Sequence, residues 1–393
     1  MKVMINQNEK ENLIRGIARK LAIEHALPIA AEIDKTSEFP WETIKVFGEN
    51  GFLSVLLPES YGGMDGDITA LCWIIEEIGR VCGSSSLTVL AHSVGLMPIM
   101  IAGSDELKER VYKEVAEKKS LAAFALTEAS AGSDAAAMST VAEKKGDYYI
   151  INGTKTFITN GGVAEFYTIF LKTDPSERTK GISCVLIEKD REGLIIGKRE
   201  DKMGMRASPT TSIILDNVKV PVSNLVGKEN EGWPIAMSTL NLSRPAIGAL
   251  AIGIAQGALD FAIDYANERV QFGQRLRDFQ GIQFMLADMA SYIEAARALV
   301  YHTSALLDQK IYERDKMSAI GVEKLSAMSK CFASDMAMRV TIDAVQILGG
   351  YGYIRDFPVE RMMRDAKVTQ IFEGSNQVQR IVIARSLMRR FST

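Results

Sequence analysis

Histidine and cysteine are scarce in this chain, and neither is spaced to hold a metal. The three histidines, His25, His92 and His302, have no partner at ligand spacing, so a structural or catalytic zinc is not expected. Four scattered cysteines, Cys72, Cys82, Cys184 and Cys331, read as small buried apolar residues in a reducing compartment. A basic surplus is missing too. The formal net charge is -3, which argues against a nucleic-acid binder. No apolar stretch is expected to approach the length of a membrane span. The nearest, 246–259, is broken by Gly248, Gly253, Gln256 and Gly257. Residues 1–7 lack the apolar core of a signal peptide, and Glu9 and Glu11 make the segment too acidic for a transit peptide. A cytoplasmic protein is expected. Neither G-x-G-x-x-G after a strand nor G-x-x-x-x-G-K-[ST] occurs, so the common phosphate-cradling loops are excluded.

What is present is ordinary in bulk and tripartite in layout. With 393 residues, 47% hydrophobic and 24% charged, the chain should fold as two or three globular domains. Residues 1–120 read as helices. Leu13, Ile17, Leu21 and Ile23 recur at helical period over 9–31 until Pro28, and further helices are predicted over 41–50, 68–80, 86–102 and 104–118. Residues 121–228 switch to short β-branched and aromatic runs. Asn152-Gly153 and Asn160-Gly161 mark hairpin turns. No helix alternates with these runs, so a compact antiparallel β domain is expected rather than a doubly wound sheet. Residues 229–393 return to helix. The span 282–320 contains neither Gly nor Pro, and Met285, Met289, Tyr292, Ala296 and Leu299 form one stripe of a predicted four-helix bundle. The fold class is α+β.

The segment with most chemistry in it is 371–380. Glu373 stands between Phe372 and Gly374, ahead of Ser375 and Asn376, both good N-cap residues, and a predicted helix over 378–390. Glu373 therefore belongs to a turn rather than a helix face, and Gly374 lets a ligand come close to the backbone. A carboxylate there can act as a base, or simply favour a helix N-terminus. Other segments have two readings as well. Residues 124–134 form a hydroxyl-rich loop at a strand end that suits a pyrophosphate or ring carbonyl, or an ordinary polar turn. Arg244 before Pro245, near a predicted helix start, suits a phosphate or carboxylate, or a surface salt bridge. Residues 268–274 and the glycines at 349–352 each suit a ligand or a helix end.

Taken in order, these segments resemble the acyl-CoA dehydrogenase family over essentially the whole chain. The residues that carry the resemblance are Tyr61-Gly62-Gly63, Leu126-Thr127-Glu128 with Gly132-Ser133-Asp134, Ile151-Asn152-Gly153-Thr154-Lys155 and Ile158-Thr159-Asn160-Gly161. Later come Met203-Gly204-Met205-Arg206, Gln271-Phe272-Gly273, Gln346-Ile347-Leu348-Gly349-Gly350 and Phe372-Glu373-Gly374. The resemblance implies FAD, a homotetramer and an electron-transfer flavoprotein as electron acceptor. It places Phe124, Leu126, Thr127, Phe157 and Thr159 at the flavin. Arg269, Gln271, Phe272, Gln346, Gly349 and Gly350 would meet its dinucleotide part across a subunit boundary. Ser375 and Gln377 would hold its pyrophosphate or adenosine end.

On the substrate side the resemblance places Ser133 at the thioester ligand, Gly374 beside the base, and Asn241 and Arg244 near the CoA arm and the catalytic pocket. Glu373 matches the catalytic base. Two positions depart from the family pattern. Ala129-Ser130 stand where Pro and then Gly or Asn are common, and Ser243 stands where some branched- and long-chain members carry their base.

The implied reaction is α,β-dehydrogenation of an acyl-CoA thioester to the 2,3-enoyl form, with the Glu373 N–H and a ribityl hydroxyl donating to the thioester oxygen. A short, branched or cyclic acyl group is expected, with Phe124, Leu126 and Met97 around its tail. A decarboxylating dicarboxyl-CoA dehydrogenase, a flavin oxidase or monooxygenase, and a non-enzymatic CoA-thioester binder are the alternatives.

Overall fold

The computed structural model describes residues 7–312 and 322–388. Helices come first. α1 (Gln7–Leu21) runs into a π turn, Ala22–Ala26, before α2 (Ala30–Thr36). Pro28 lies in the intervening turn, where its missing N–H costs no helical bond. α3 (Trp41–Glu49), α4 (Ile68–Gly79), α5 (Gly83–Ala102) and α6 (Asp105–Lys118) follow close to the predicted spans. Side chains start two of them. The Asp67 carboxylate accepts from the Ala70 N–H at 2.7 Å, and the Ser104 hydroxyl accepts from the Leu107 N–H at 3.2 Å.

A second carboxylate reaches the start of α4 from α8 (Gln280–Tyr312). Asp308 accepts from the N–H groups of Ile68 at 2.8 Å and Thr69 at 3.1 Å, and from the Thr69 hydroxyl at 2.5 Å. Burial, with the charge of Asp67, pushes this carboxyl up to about 6 against the pull of those donors.

The central strands are β1 (Ala122–Ala125), β2 (Val141–Lys145), β3 (Tyr148–Thr159), β4 (Phe166–Lys172), β5 (Ile182–Glu188), β6 (Leu194–Arg199), β7 (Thr210–Pro221) and β8 (Leu225–Val226). They form one sheet in the order β6-β7-β3-β2-β4-β5-β8, with β1 added on β4. Two expectations fail here. The sheet is not wholly antiparallel, because β1 pairs with β4 in parallel and Val141 bridges Lys172 in parallel. Parallel neighbours need a long connection, and the excursion through β2 and β3 provides it. Nor is Asn152-Gly153 a hairpin turn. Both residues lie inside β3, where the register against β7 slips between Ile151 and Gly153. Gly153 has φ 150°, and a Cβ there would stand 2.4 Å from the Thr140 hydroxyl. The glycine serves a bulge and a close approach. The turn comes later, at Asn160 (φ 62°) and Gly162 (φ 83°).

The C-terminal bundle is built from α7 (Gly232–Glu268), α8, α9 (Glu323–Leu348) and α11 (Asn376–Met388), with a shorter α10 (Val359–Val368). In the predicted stripe Met289 and Ala296 are fully buried, while Met285, Tyr292 and Leu299 are half-buried. Residues 313–320 and 389–390, the ends of two predicted helices, lie outside the described residues. Pro245 is not near a helix start, since α7 runs through it from Gly232.

The membrane expectation also needs correction. α5 and α7 are long and apolar enough to cross a bilayer, yet 78% of each apolar window is buried inside the protein. They are core helices. α7 packs on α4, α5 and β5 as well as on its bundle partners, and so ties the three parts together.

Candidate active site

Glu373 sits on the turn between α10 and α11, in the left-handed region at φ 51°, a conformation uncommon for any residue but glycine. Gly374 follows at φ 89°. The Ser375 hydroxyl accepts from the Val378 N–H at 3.4 Å, so Ser375 opens α11 as expected. Buried side chains hold the turn from below. The Gln379 amide donates to the carbonyls of Glu373 at 3.2 Å and Gly374 at 2.9 Å. The Lys330 ammonium, on α9, donates to the Gly374 carbonyl at 2.9 Å and to Asn376 Oδ1 at 2.8 Å. The Asn376 amide donates to the Ser334 hydroxyl at 2.9 Å and the Asp335 carboxylate at 2.7 Å.

The Glu373 side chain meets α7. The Ser243 hydroxyl donates to its carboxylate at 2.5 Å. Arg244 follows, and its Nη1 donates to Asn241 Oδ1 at 2.7 Å. The predicted pair Asn241 and Arg244 is therefore at the Glu373 turn, but Arg244 is buried rather than part of a surface salt bridge. Its Nε–H has no partner among the described residues. Pro245 cannot donate to the Asn241 carbonyl four residues back, which loosens the helix at this point.

Burial is the largest influence on the Glu373 carboxyl and raises it. The Ser243 hydrogen bond, Arg244 and Lys330 pull it down, and it settles at about 7. Burial acts in the opposite sense on the cations. It lowers Lys330 to about 8 and Arg244 below its usual range, with Glu373 opposing both.

Predicted cofactor residues fall into separate groups on one chain. Phe124 on β1 is tilted against Phe170 with ring centroids 5.0 Å apart, and Leu126 is buried. The Thr127 carbonyl accepts from the Thr156 N–H at 2.9 Å, which brings this loop to the end of β3. There Phe157 is 62% exposed at φ 58°, and Thr159 pairs with Thr210. Beneath the loop is a buried ion pair, Lys155 to Glu128 at 2.8 Å. Lys155 also donates to the Leu126 carbonyl at 3.1 Å. Glu128 accepts from the Ser139 N–H and hydroxyl and from the Thr140 N–H. Burial opposes this charge, but Lys155 and the donors hold the Glu128 carboxyl at about 2. Ser133 lies exposed on the following turn.

Arg269, Gln271, Gly349 and Gly350 line one open cleft, where the Arg269 guanidinium lies 5.3 Å from the centre of the Tyr351 ring. Phe272 and Gln346 do not line it. Phe272 is 96% exposed at the tip of a two-stranded hairpin, and Gln346 is exposed on the last turn of α9. Ser375 and Gln377 line a second cleft with Lys367 and Arg380.

Lys330 and Gln379 were not singled out from sequence. Lys330 was in principle visible, as the one cation amid Ser326, Ala327, Ser329, Cys331, Ala333 and Ser334. His92 is a core residue. Its Nε2 bonds the Leu53 carbonyl at 2.7 Å and burial lowers it to about 4. All four cysteines are free and buried, and no cluster of three metal-ligating side chains exists among the described residues.

Residues 8–119, 123–218 and 230–388 match the N-terminal, middle and C-terminal domains of acyl-CoA dehydrogenase. The chain is 46% identical to a probable acyl-CoA dehydrogenase, FadE25, of Mycobacterium tuberculosis over 97% of this chain and 96% of that protein. It is 45% identical to cyclohexane-1-carbonyl-CoA dehydrogenase of Geobacter metallireducens over 98% and 99%. Among solved structures, butyryl-CoA dehydrogenase from Megasphaera elsdenii matches with TM-score 0.92 at 38% identity, covering 99% of this chain and 100% of that one. A chain in a structure of the electron transferring flavoprotein of Acidaminococcus fermentans matches with TM-score 0.93 at 45% identity, covering 99% and 100%. An acyl-CoA dehydrogenase complexed with FAD from Bacillus anthracis matches with TM-score 0.91 at 31% identity, covering 99% of this chain and 68% of that one.

Proposed function

This chain belongs to the acyl-CoA dehydrogenase family of oxidoreductases, and we propose that it desaturates a short or cyclic acyl-CoA thioester with Glu373 as the base. The observation that carries this reading is the half-buried Glu373 carboxyl, held against α7 by the Ser243 hydroxyl at 2.5 Å and raised to about 7. A carboxylate in water is far too weak a base for the carbon beside a thioester carbonyl. Desolvation brings its pKa near the working pH, where a general base is most effective. Ser243 orients the carboxylate by donating to Oε2, and leaves Oε1 without a hydrogen-bond donor among the described residues. The Glu373 N–H makes no hydrogen bond among the described residues. It is free to donate to the thioester oxygen as negative charge develops there, and one such donor contributes about 3 kcal/mol.

FAD is the cofactor of this reading and supplies the hydride acceptor that no side chain can provide. The residues fit such a group. Arg269, Gln271 and the Gly349-Gly350 backbone on one cleft, and Ser375, Gln377, Lys367 and Arg380 on the other, offer donors to a diphosphate-bearing dinucleotide. Phe124, Leu126, Thr127, Phe157 and Thr159 would line the ring. Ser133 and Gly374 would touch the thioester ligand, with Phe124, Leu126 and Met97 around a compact acyl tail. The names of the butyryl- and cyclohexane-1-carbonyl-CoA relatives support that substrate size.

A homotetramer would cover the apolar side chains exposed on the bundle, among them Phe272, Phe284, Ile342 and Ile381. An electron-transfer flavoprotein is the proposed acceptor, supported by the Acidaminococcus match, and four free buried cysteines suit a cytoplasmic setting. A second reading rests on the unpartnered Arg244 Nε–H. It suits a carboxylate on the acyl tail and a decarboxylating reaction, which carbon dioxide release would reveal.

Anaerobic titration with a panel of acyl-CoA thioesters tests the main reading. Short or cyclic acyl-CoAs should bleach the flavin, at a rate that rises through about pH 7 as Glu373 loses its proton. No bleaching by any member of the panel would refute it. Arg269→Ala should lower the FAD retained after gel filtration. Full flavin content would remove Arg269 from the cofactor site.

A further inference from the structure

Lys330 is fully buried and has no carboxylate within ion-pair distance among the described residues. Burying an ammonium is expensive, and an apolar side chain of the same length would pack there at less cost. Its hydrogen bonds go instead to the Gly374 carbonyl and to Asn376 Oδ1, the two groups flanking Ser375 at the foot of the Glu373 turn. That turn needs holding. A left-handed non-glycine residue persists only where its surroundings over-determine it. Among the described residues the Glu373 carbonyl has Gln379 alone, and the Gly374 carbonyl is shared by Gln379 and Lys330.

We propose that Lys330 is a positioning residue for the base: from α9 it locks the turn that aims Glu373, and it places a positive charge near that carboxylate. This rests on the reading of Glu373 as base. Two roles are thus joined in one side chain, and they can be separated. The charged and titratable groups around the pair are Arg244 on α7, Cys331 and Asp335 on α9, and Glu373 itself. Of the two cations that pull the Glu373 carboxyl down, Arg244 and Lys330, only Lys330 also bonds the turn itself.

Lys330→Met removes both the hydrogen bonds and the charge. Lys330→Gln keeps an amide donor for the Gly374 carbonyl but no charge. In the FAD-loaded enzyme, Lys330→Met should lower the maximal rate of flavin reduction by about 100-fold, the effect of misplacing a reacting group by about 1 Å. Lys330→Gln should recover at least about tenfold of that loss. In both variants the pKa read from the pH profile should move up from about 7, because a neighbouring cation is gone. Infrared difference titration against Glu373→Gln reads the same carboxyl without turnover, and should show the same move.

Wild-type rates and pKa in both variants would overturn the inference. So would equal losses in both with an unchanged pKa, the mark of a residue that only packs. If Lys330→Met does not fold, Lys330→Gln decides alone, and an unmoved pKa overturns the proposal. Glu373→Gln measured alongside keeps the two claims apart. If it retains its rate, the base assignment fails. If it is inactive while the Lys330 variants match wild type, only the role of Lys330 fails.

Discussion

Glu373→Gln is expected to slow flavin reduction by an acyl-CoA about 10³- to 10⁴-fold, the upper range for loss of a general base. Flavin content and ligand affinity should hold. The substitution is nearly isosteric, and the amide oxygen can still accept from the Ser243 hydroxyl, now 2.5 Å from the carboxylate. The backbone conformation at φ 51° and the carbonyl bonded by Gln379 do not depend on the side chain. What disappears is the only group on this turn that can take a proton. Rapid anaerobic mixing with an unmodified thioester measures the effect directly. Prompt bleaching in the glutamine variant would remove Glu373 from the chemistry.

Lys155→Met should be the most damaging substitution to the β domain. It leaves Glu128 buried without its cation, and uncoupling a buried pair in this way costs about 3–5 kcal/mol. The pair is 2.8 Å apart with both side chains essentially inaccessible. The Leu126 carbonyl also loses a donor, so the loop proposed to line the flavin should loosen and FAD content should drop. A lower denaturant midpoint and lost flavin are the expected readings, and a wild-type midpoint would contradict the account. Lys113→Met, which breaks an exposed pair with Glu109, should leave the midpoint unchanged.

Acid adds a check. A carboxyl depressed to about 2 contributes stability that is present above the usual carboxylate range and lost as pH falls through about 2. Without Lys155 that loss should begin at higher pH.

The three-part layout was legible because each part has its own period. Met289 and Ala296 repeat as a helix face, and Phe166 to Lys172 runs as a strand. The Glu373 turn was legible because glycine and two capping residues follow it directly. Contacts between distant segments were not. Nothing local distinguishes the Asn152-Gly153 pair, which bulges a long strand against Thr140, from the Asn160-Gly161 pair, which turns it. Ser243 looked like a position where a base was absent, yet its hydroxyl is bonded to the Glu373 carboxylate. Arg244 before Pro245 suggested a helix boundary because proline usually ends helices, but packing on several elements carries α7 through it. Buried donors such as Lys330 and Gln379 are visible only once the turn they serve is folded against them.

The carboxylate of Asp308 bears on how the chain is made. It closes the start of α4, 240 residues earlier. At ribosomal speeds of about 5–20 residues per second, the polypeptide must grow for about 10–50 seconds more before that helix start can receive its distant partner. Through that interval the N–H groups of Ile68 and Thr69 have only water or Asp67 to turn to. The opening third of the protein is thus finished by its last third, and co-translational maturation cannot be complete until the bundle emerges.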